Sequence, residues 1–170
     1  MNILFVSDVS IQDDLSGAER LLYEQSTRLA ARGHHVDILT RRLASHASDH
    51  SNIQDVTEWR YSIDRSNALS FLTSTLCNGR RLFETLNNAQ QYDGVIFHQP
   101  FSAFAVCRSP ASRAIPKVYT CLSLSFEEYV SRNAIPQSLA EKIIHCFHRS
   151  VRKWIEKKAL SAADQIVVLS

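Results

Sequence analysis

The loop after the first apolar run of the chain contains residue types suited to holding an anion. The apolar run at residues 3–6 leads into a polar stretch that ends at Ser16 and Gly17, and an amphipathic segment follows. Because glycine has no side chain, Gly17 at a helix start would leave free backbone N–H groups open to a phosphate. The alternative is structural, with Ser16 as the helix N-cap and Glu19 completing a capping box. A dinucleotide is not indicated, because the fingerprint Gly-x-Gly-x-x-Gly is missing.

Two arginines, Arg41 and Arg42, directly follow the second apolar run, at residues 36–40. In a dinucleotide-binding fold this position carries an acidic residue that binds a ribose hydroxyl. Two guanidinium groups instead favour a phosphate or a carboxylate, with which arginine forms paired hydrogen bonds. The alternative is that both arginines lie at a solvated strand end without a specific partner.

Other common kinds of site are disfavoured by the residue spacing. The seven histidines and four cysteines include no set with zinc-ligand spacing, so no metal is expected and the cysteines indicate free thiols in a reducing compartment. No Gly-x-Ser-x-Gly elbow follows a strand, which argues against a Ser-His-Asp hydrolase. A net charge of only +2 does not favour nucleic acid as a partner. The N-terminal apolar run is too short for a signal peptide or a membrane span, so we expect a cytoplasmic protein.

Strand-like and helix-like stretches alternate along the chain, and the candidate site residues lie between them. Continuous apolar runs predict strands buried on both faces, and a helical period of apolar residues predicts helices. The predicted strands cover residues 2–7, 36–40, 53–61, 93–97, 117–122 and 165–169, of which the third is expected at a sheet edge. The predicted helices cover residues 17–32, 66–91, 101–108 and 136–160, with a break or kink at 78–79 and a loop at 41–52.

Strands separated by helices indicate a single α/β domain over residues 1–170. The expected architecture is a doubly wound, mainly parallel Rossmann-like sheet flanked by helices. In such sheets, ligands bind beyond the carboxyl ends of the strands, where the strand order reverses. The segments at those ends are 8–17, 40–44, 98–102 and 121–128. We therefore expect these four segments to form the ligand-binding site.

The predicted helix around residues 138–160 carries six basic residues but only two acidic ones. Its apolar stripe consists of Ile143, Ile144, Phe147, Val151, Trp154 and Ile155. A basic amphipathic helix can lie on an anionic membrane surface, and peripheral membrane contact through this helix is one interpretation. We expect instead that the apolar stripe covers the sheet and that the basic face is solvated, because each basic residue near an anionic surface adds only about 1 kcal/mol.

Four segments resemble glycosyltransferase family 4 in their order and approximate spacing: SGAERLLYEQSTRLAARGHHVDILT, QYDGVIFHQP, IPKVYTC and EKKALSAADQIVVLS. That family consists of retaining enzymes of the two-domain GT-B fold that use sugar nucleotides. The resemblance implies that residues 1–170 are the N-terminal, acceptor-side domain, and that the donor-binding C-terminal domain is absent from this chain. It also implies a nucleotide-diphosphate sugar as co-substrate without a further cofactor, and a glycan, lipid-linked or small-molecule acceptor.

The resemblance assigns roles to individual residues. Ser16 and Gly17 correspond to the glycine loop of the family, which approaches the diphosphate of the donor. His98 matches a recurrent histidine at the end of the fourth strand, and the resemblance implies that its ring contacts an acceptor hydroxyl. Independently of the resemblance, Arg41 and Ser123 are expected to contact the acceptor as well, because they lie at neighbouring strand ends and have side chains that donate hydrogen bonds.

Leu122 departs from the family pattern, so functions other than sugar transfer remain as alternatives. The family often has a histidine directly after the strand that corresponds to KVYTC, and the side chain of leucine can neither donate nor accept a hydrogen bond. No catalytic residue is therefore assigned, and this chain alone is expected to have little activity. The alternative is a non-catalytic doubly wound binding module that pairs with a separate partner. A single-domain NAD-dependent enzyme is a third interpretation, against which the missing glycine fingerprint argues.

Overall fold

The computed structural model describes residues 1–12, 17–132 and 138–168. These described residues form seven strands and five α-helices. The strands are β1 (Asn2–Val6), β2 (His35–Arg41), β3 (His50–Ile53), β4 (Val56–Tyr61), β5 (Gly94–Phe97), β6 (Lys117–Cys121) and β7 (Gln165–Val168). The helices are α1 (Ala18–Ala31), α2 (Ala68–Gln90), α3 (Pro100–Cys107), α4 (Ser125–Arg132) and α5 (Leu139–Ser161).

The strands form one sheet in the order β3-β4-β2-β1-β5-β6-β7. Neighbouring strands run parallel except β3 and β4, which run antiparallel. The chain builds outwards from β1 to β2 and β4, and then returns to the other side of β1 at β5. The predicted doubly wound α/β fold is confirmed. Its strand order reverses between β1 and β5, so a ligand site is expected beyond Val6 and Phe97.

Helices cover both faces of the sheet with separate apolar cores. On one face, α1 packs Leu22 in a cluster with Phe5. On the other face, Leu4 packs in a cluster with Phe83 of α2 and with residues of α3. α5 joins this second layer through Ile155, which is fully buried. Because the central strands are covered on both faces, their sequences are nearly continuous apolar runs.

The region before β4 differs from the predicted loop at 41–52 and the predicted edge strand at 53–61. His50–Ile53 forms β3, which pairs with β4 and thereby places β4 inside the sheet. Gln54 and Asp55 join the two strands with φ values of 47° and 64°. Two residues with positive φ are typical of a tight hairpin, but such turns usually contain glycine. Because this turn contains Gln and Asp and no glycine, no signal for a hairpin was present in the sequence.

The other predicted helices are present with small changes in their bounds, and α4 was not predicted. α2 continues through Asn78 and Gly79 without the predicted break. A Cβ at Gly79 would lie 3.1 Å from the Cβ of Ala105, so this glycine permits close packing between α2 and α3. α5 begins after Ser138, which forms a capping box with Glu141. The predicted start of that helix at 136 and the predicted end of the last strand at 169 lie outside the described residues.

Only part of the apolar stripe of α5 covers the sheet, so the expectation for the whole stripe is wrong. Val151 and Ile155 pack in a cluster with α3. Ile143 and Phe147, by contrast, are 62% and 63% exposed. The difference runs along the helix axis, because Ile144 lies on the same side of the helix as Ile155 and is nevertheless 56% exposed. Only the part of α5 from Val151 onwards packs against α3, and the apolar pattern of the sequence did not reveal where along the helix this packing begins.

Candidate functional site

A cleft of about 660 Å³ lies at the carboxyl edge of the parallel strands. Five residues that the sequence singled out line it: Gly17, Arg41, His98, Leu122 and Ser123. They come from four different loops or strand ends. The sheet brings them together because parallel strands have their carboxyl ends at one edge. Ser16, also predicted as a site residue, lies outside the described residues.

The start of α1 is open towards the cleft. Gly17 has a φ of 54° and a ψ of −110° and holds the N-cap position, so the predicted N-cap role of Ser16 and its capping box with Glu19 are wrong. A positive φ takes Gly17 out of the helical conformation, which is why the helix begins at the next residue. Among residues 1–12, 17–132 and 138–168, no side chain caps this end, and an added Cβ at Gly17 would meet nothing within 4 Å. An anion can therefore approach the backbone N–H groups.

A buried ion pair ties the loop after β1 to β4. Arg60 Nε donates to Glu58 Oε1 at 2.7 Å, and the two side chains are 1% and 0% exposed. Ser10 Oγ donates to the same oxygen at 2.7 Å, and the backbone N–H of Ile11 donates to Oε2 at 2.8 Å. Arg60 also donates to the side chain of Gln12 at 2.6 Å. These contacts position the segment that leads into α1, a role that the sequence did not indicate.

Asp8 caps α3 at the edge of the cleft. Its carboxylate accepts hydrogen bonds from the backbone N–H groups of Phe101 and Ser102, at 3.2 and 2.9 Å, and from the Ser102 hydroxyl at 2.6 Å. A negative charge is stabilised at the N-terminus of a helix. The Ser102 hydroxyl also lies 2.6 Å from that of Tyr61. Sequence reasoning missed this role because Asp8 shows only as an acid after a strand, and its partners lie 93 and 94 residues away.

His98 follows β5 and is only 3% exposed at the edge of the cleft. Its Nε2 lies 2.9 Å from Oε1 of Gln25 in α1, and its ring packs against Phe5 with the centroids 5.6 Å apart. Burial lowers the pKa of His98 to about 4, so the imidazole is neutral near pH 7. The buried Nδ1 has no hydrogen-bond partner among the described residues. This nitrogen is therefore a buried hydrogen-bonding atom without a partner among the described residues, at the edge of the cleft.

The neutral state of His98 predicts a loss of stability in acid. The unfolded chain takes up a proton near the ordinary pKa of 6.5, whereas folded His98 stays neutral down to about 4. The unfolded state thus binds more protons between these values, and the free energy of unfolding falls as the pH falls through them, by up to ~3 kcal/mol. His98→Gln should flatten this dependence in urea unfolding between pH 4 and 6.5. His34→Gln, at a partly exposed histidine, is the control; equal slopes for wild type and His98→Gln would refute the assignment.

The two predicted arginines have different environments. Arg42 forms an ion pair with Asp49 at 2.7 Å and holds the loop after β2. Arg41 is the last residue of β2, lines the cleft and lies over the ring of Phe71, 5.9 Å from its centroid. Arg152 of α5 lines the same cleft. It was not predicted as a site residue, because the sequence showed it only as one of several basic residues on a long helix.

The loop between β6 and α4 is oriented by α5. Glu156 of α5 is almost fully buried, and its Oε1 accepts a hydrogen bond from the backbone N–H of Ser125 at 2.9 Å. Burial raises the pKa of Glu156. Further along the cleft, the Ser123 hydroxyl donates to the carboxylate of Glu128. Leu122 lines the cleft beside it, so this side of the site offers a hydroxyl and a carboxylate but no imidazole.

Within residues 1–12, 17–132 and 138–168, no three His, Cys, Asp or Glu side chains are grouped so as to hold a metal ion. In the same part of the chain, no helix combines the length and the apolar content needed to cross a membrane. The four cysteines, Cys77, Cys107, Cys121 and Cys146, are free thiols.

A mainly parallel Rossmann-like sheet, with a polar cleft where its strand order reverses, is the architecture of one half of a GT-B glycosyltransferase. The helix start at Gly17 belongs to this cleft. The family model for glycosyltransferase family 4 matches residues 15–170. The chain belongs to this family.

Solved structures show the same fold. Sucrose-phosphate synthase from Thermosynechococcus elongatus aligns with a TM-score of 0.69 and 18% identity, over 99% of this chain and 42% of that chain. A second structure of this synthase aligns with a TM-score of 0.64 and 16% identity, over 100% of this chain and 77% of that chain. A UGT transferase from Siraitia grosvenorii in complex with UDP aligns with a TM-score of 0.57 and 11% identity, over 98% of this chain and 44% of that chain.

At these identities the matches show the fold alone. This chain spans less than half of the first and third of these proteins. Among curated protein sequences, none matches it significantly.

Proposed function

We propose that this chain is the acceptor-side half of a retaining glycosyltransferase. The complete enzyme transfers a sugar from a nucleotide-diphosphate sugar to a hydroxyl group of a glycan, a lipid-linked molecule or a small molecule. The observation that carries the proposal is the cleft, in which the uncapped start of α1 and the charged ends of neighbouring strands line one space. Membership of the family supports sugar transfer, and the open helix start supports an anionic donor.

The roles proposed for the chain are electrostatic and positional. At Gly17, backbone N–H groups and the helix dipole stabilise the departing diphosphate, whose charge grows as the glycosidic bond breaks. His98 accepts a hydrogen bond from the acceptor hydroxyl at its free Nδ1, while Gln25 holds Nε2. Arg41 and Ser123 hold the acceptor from adjacent strand ends. A second GT-B domain supplies most contacts to the nucleotide and the transferred sugar, and no further cofactor takes part.

Sugar transfer by this chain, assayed alone and combined with a donor-binding GT-B domain, tests the proposal. The donors are radiolabelled uridine-, guanosine- and adenosine-diphosphate sugars, and NMR gives the anomeric configuration of the product. We expect α-linked donors to give α-linked products from the combined protein, and the chain alone to give no transfer above background. Inverted products would refute the retaining mechanism. Transfer at an ordinary enzymatic rate by the chain alone would refute its role as half of an enzyme.

A second candidate function is a non-catalytic binding module that pairs with a separate partner. Leu122 favours it, because its side chain offers no hydrogen bond beside the cleft. Such a module, combined with its partner, would bind a sugar nucleotide at equilibrium and release no product with any acceptor. Comparing equilibrium binding with product formation in the same samples separates the two functions.

The exposed apolar side of the first half of α5 supports a proposed contact with the anionic cytoplasmic leaflet of a membrane. Three large apolar side chains there are 62–76% exposed: Leu139, Ile143 and Phe147. Their spacing of four residues places them on one side of the helix. Exposed lysines lie beside this line, at Lys142, Lys153, Lys157 and Lys158. An apolar face flanked by basic residues is the pattern of helices that lie in the plane of an anionic membrane surface.

Replacing Ile143 and Phe147 together by serine should reduce binding to anionic vesicles at least ~10-fold, since each CH₂ group inserted into lipid contributes about 0.8 kcal/mol. The free energy of unfolding should change little, because both side chains are exposed. Co-sedimentation with phosphatidylserine-containing and pure phosphatidylcholine vesicles measures the effect. Leu69→Ser, at a side chain 71% exposed on α2, is the matched control. Equal, negligible sedimentation of wild type with both vesicles would end the proposal.

A further inference from the structure

Two arginines from distant parts of the chain line the same cleft. Arg41 ends β2 and Arg152 belongs to α5. The Nε atom of each is buried and has no hydrogen-bond partner among the residues that the structure describes. Neither guanidinium forms an ion pair with any residue in the described part of the chain. Buried polar groups are nearly always hydrogen-bonded, so two unpaired guanidinium groups in one cleft require an explanation.

Both guanidinium groups lie over the faces of aromatic rings. Arg152 lies over Phe101 and Tyr129, 5.1 and 4.8 Å from the ring centroids, and Arg41 lies over Phe71 at 5.9 Å. A ring face attracts the cation but accepts none of the N–H hydrogen bonds that a guanidinium directs in its own plane. The packing therefore fixes the orientation of the arginines and leaves their donors available for a ligand.

Asp8, an acidic side chain of the cleft, forms no ion pair with these arginines. Asp8 already accepts three hydrogen bonds from α3. Burial lowers the pKa of Arg152; Tyr129 and Asp8 act against this effect, and the charge of Arg41 reinforces it. The two cations are thus close enough to repel each other. An anion placed between them would reduce the repulsion and would accept hydrogen bonds from the unpaired donors.

The arginines lie on the opposite side of the sheet from α1. Arg41 shares a strand face with Leu39, which belongs to the core cluster formed with α2 and α3, whereas Ile38 belongs to the cluster formed with α1. The contact of Arg41 with Phe71 of α2 agrees with this orientation. Gly17, proposed for the donor diphosphate, precedes α1 on the other side. The two anion-binding positions are therefore separate parts of one cleft.

We propose that Arg41 and Arg152 together bind an anionic group of the acceptor, a phosphate or a carboxylate. The assignment to the acceptor rests on the function proposed above. Planar guanidinium groups suit both anions, because each can donate two parallel hydrogen bonds to a pair of oxygens. This proposal restricts the class of acceptor molecules. The acceptor carries an anionic group that the two arginines can bind while its reacting hydroxyl group lies at the reaction site.

NMR of the 170-residue protein tests this site directly. Inorganic phosphate, acetate and UDP are titrated separately while the Nε–Hε signals of Arg41, Arg152 and Arg149 are followed. We expect phosphate, acetate or both to shift the signals of Arg41 and Arg152 together, and the preferred anion identifies the acceptor group. The signal of Arg149, exposed on the same helix, should not move. No shift with phosphate or acetate would overturn the site, and a UDP-induced shift of both signals would overturn its assignment to the acceptor.

Substitutions separate binding from structure. Arg41→Gln and Arg152→Gln should each weaken binding of the preferred anion at least ~10-fold, while Arg149→Gln leaves it unchanged. Without the anion, Arg152→Gln should keep or raise the melting temperature, because it removes a half-buried charge that has no ion-pair partner in the described part of the chain, and it should abolish the rise caused by the anion. A lower melting temperature with the anion-induced rise intact would show a structural role and refute the site. None of these measurements requires sugar transfer, so anion binding without transfer would refute the proposed function alone.

Discussion

Glu58→Ala should lower the free energy of unfolding by about 3–5 kcal/mol, the cost of leaving a buried charge without its partner. Glu58 is fully buried, and Arg60 beside it is 4% exposed. The carboxylate accepts hydrogen bonds from Arg60, from Ser10 and from the backbone of Ile11. Alanine removes both acceptor oxygens and thereby all three hydrogen bonds at once. The guanidinium is then left with only the neutral oxygens of the loops and of β3 around it.

Urea unfolding measures this loss, and the exposed pair of Glu24 and Arg28 is the matched control. Their side chains are 38% and 76% exposed at a separation of 2.8 Å, so Glu24→Ala should cost well under about 1 kcal/mol. Replacing Glu58 and Arg60 together by leucine and methionine should restore much of the stability lost in Glu58→Ala, because no unpaired charge remains. If Glu58→Ala proved as mild as Glu24→Ala, the buried pair would not stabilise the fold.

The same substitution should loosen the loop that leads to the cleft. The amide of Ile11 donates to Glu58 in the folded protein, and Thr40 Oγ1 donates to the carbonyl oxygen of Val9 nearby. In Glu58→Ala, hydrogen exchange of the Ile11 amide should therefore accelerate by more than the change in global stability accounts for. Faster exchange at Ile11 would show that the buried pair of Glu58 and Arg60 holds the loop that leads to the start of α1.

The sheet and the place of the cleft could be predicted from sequence because both follow from local patterns and general rules. Continuous apolar runs marked β1, β2, β5 and β6, and the alternation with helices required parallel pairing. Parallel pairing then placed Arg41, His98 and Ser123 at one edge of the sheet, since each follows a strand. No distance between them was needed to expect that they line one cleft.

The partners of these residues could not be predicted, because each depends on contacts between distant segments. Asp8 looked like a polar residue after a strand, and only the arrival of α3 gives it a helix to cap. Arg152 looked like part of a solvated basic face, and only the packing of α5 against α3 brings it into the cleft with Arg41. The apolar pattern of α5 likewise did not reveal that only its second half packs against α3.

Gly17→Ala should reduce sugar transfer about 10²-fold in the combined protein, the effect expected when a reacting group is displaced by roughly 1 Å. In the folded chain an added Cβ at Gly17 meets no protein atom within 4 Å. The methyl group would instead occupy the space through which the diphosphate approaches the backbone N–H groups. The loss should appear mainly as a higher KM for the donor and a lower kcat, with the KM for the acceptor little changed.

Gly33→Ala is the control for this change, because both glycines have a positive φ but lie at opposite ends of α1. Gly33 follows the other end of α1, its φ of 84° is also positive, and an added Cβ there also meets nothing within 4 Å. α1 has 14 residues, which separates the two positions by ~21 Å. Both substitutions force alanine into a conformation that it rarely adopts, at a cost of about 1–3 kcal/mol, so the stability of both variants should fall. Only Gly17→Ala should lose transfer, because only that end of α1 opens into the cleft. Equal losses of transfer in the two variants would mean that strain in α1, and not access to its N-terminus, limits the reaction.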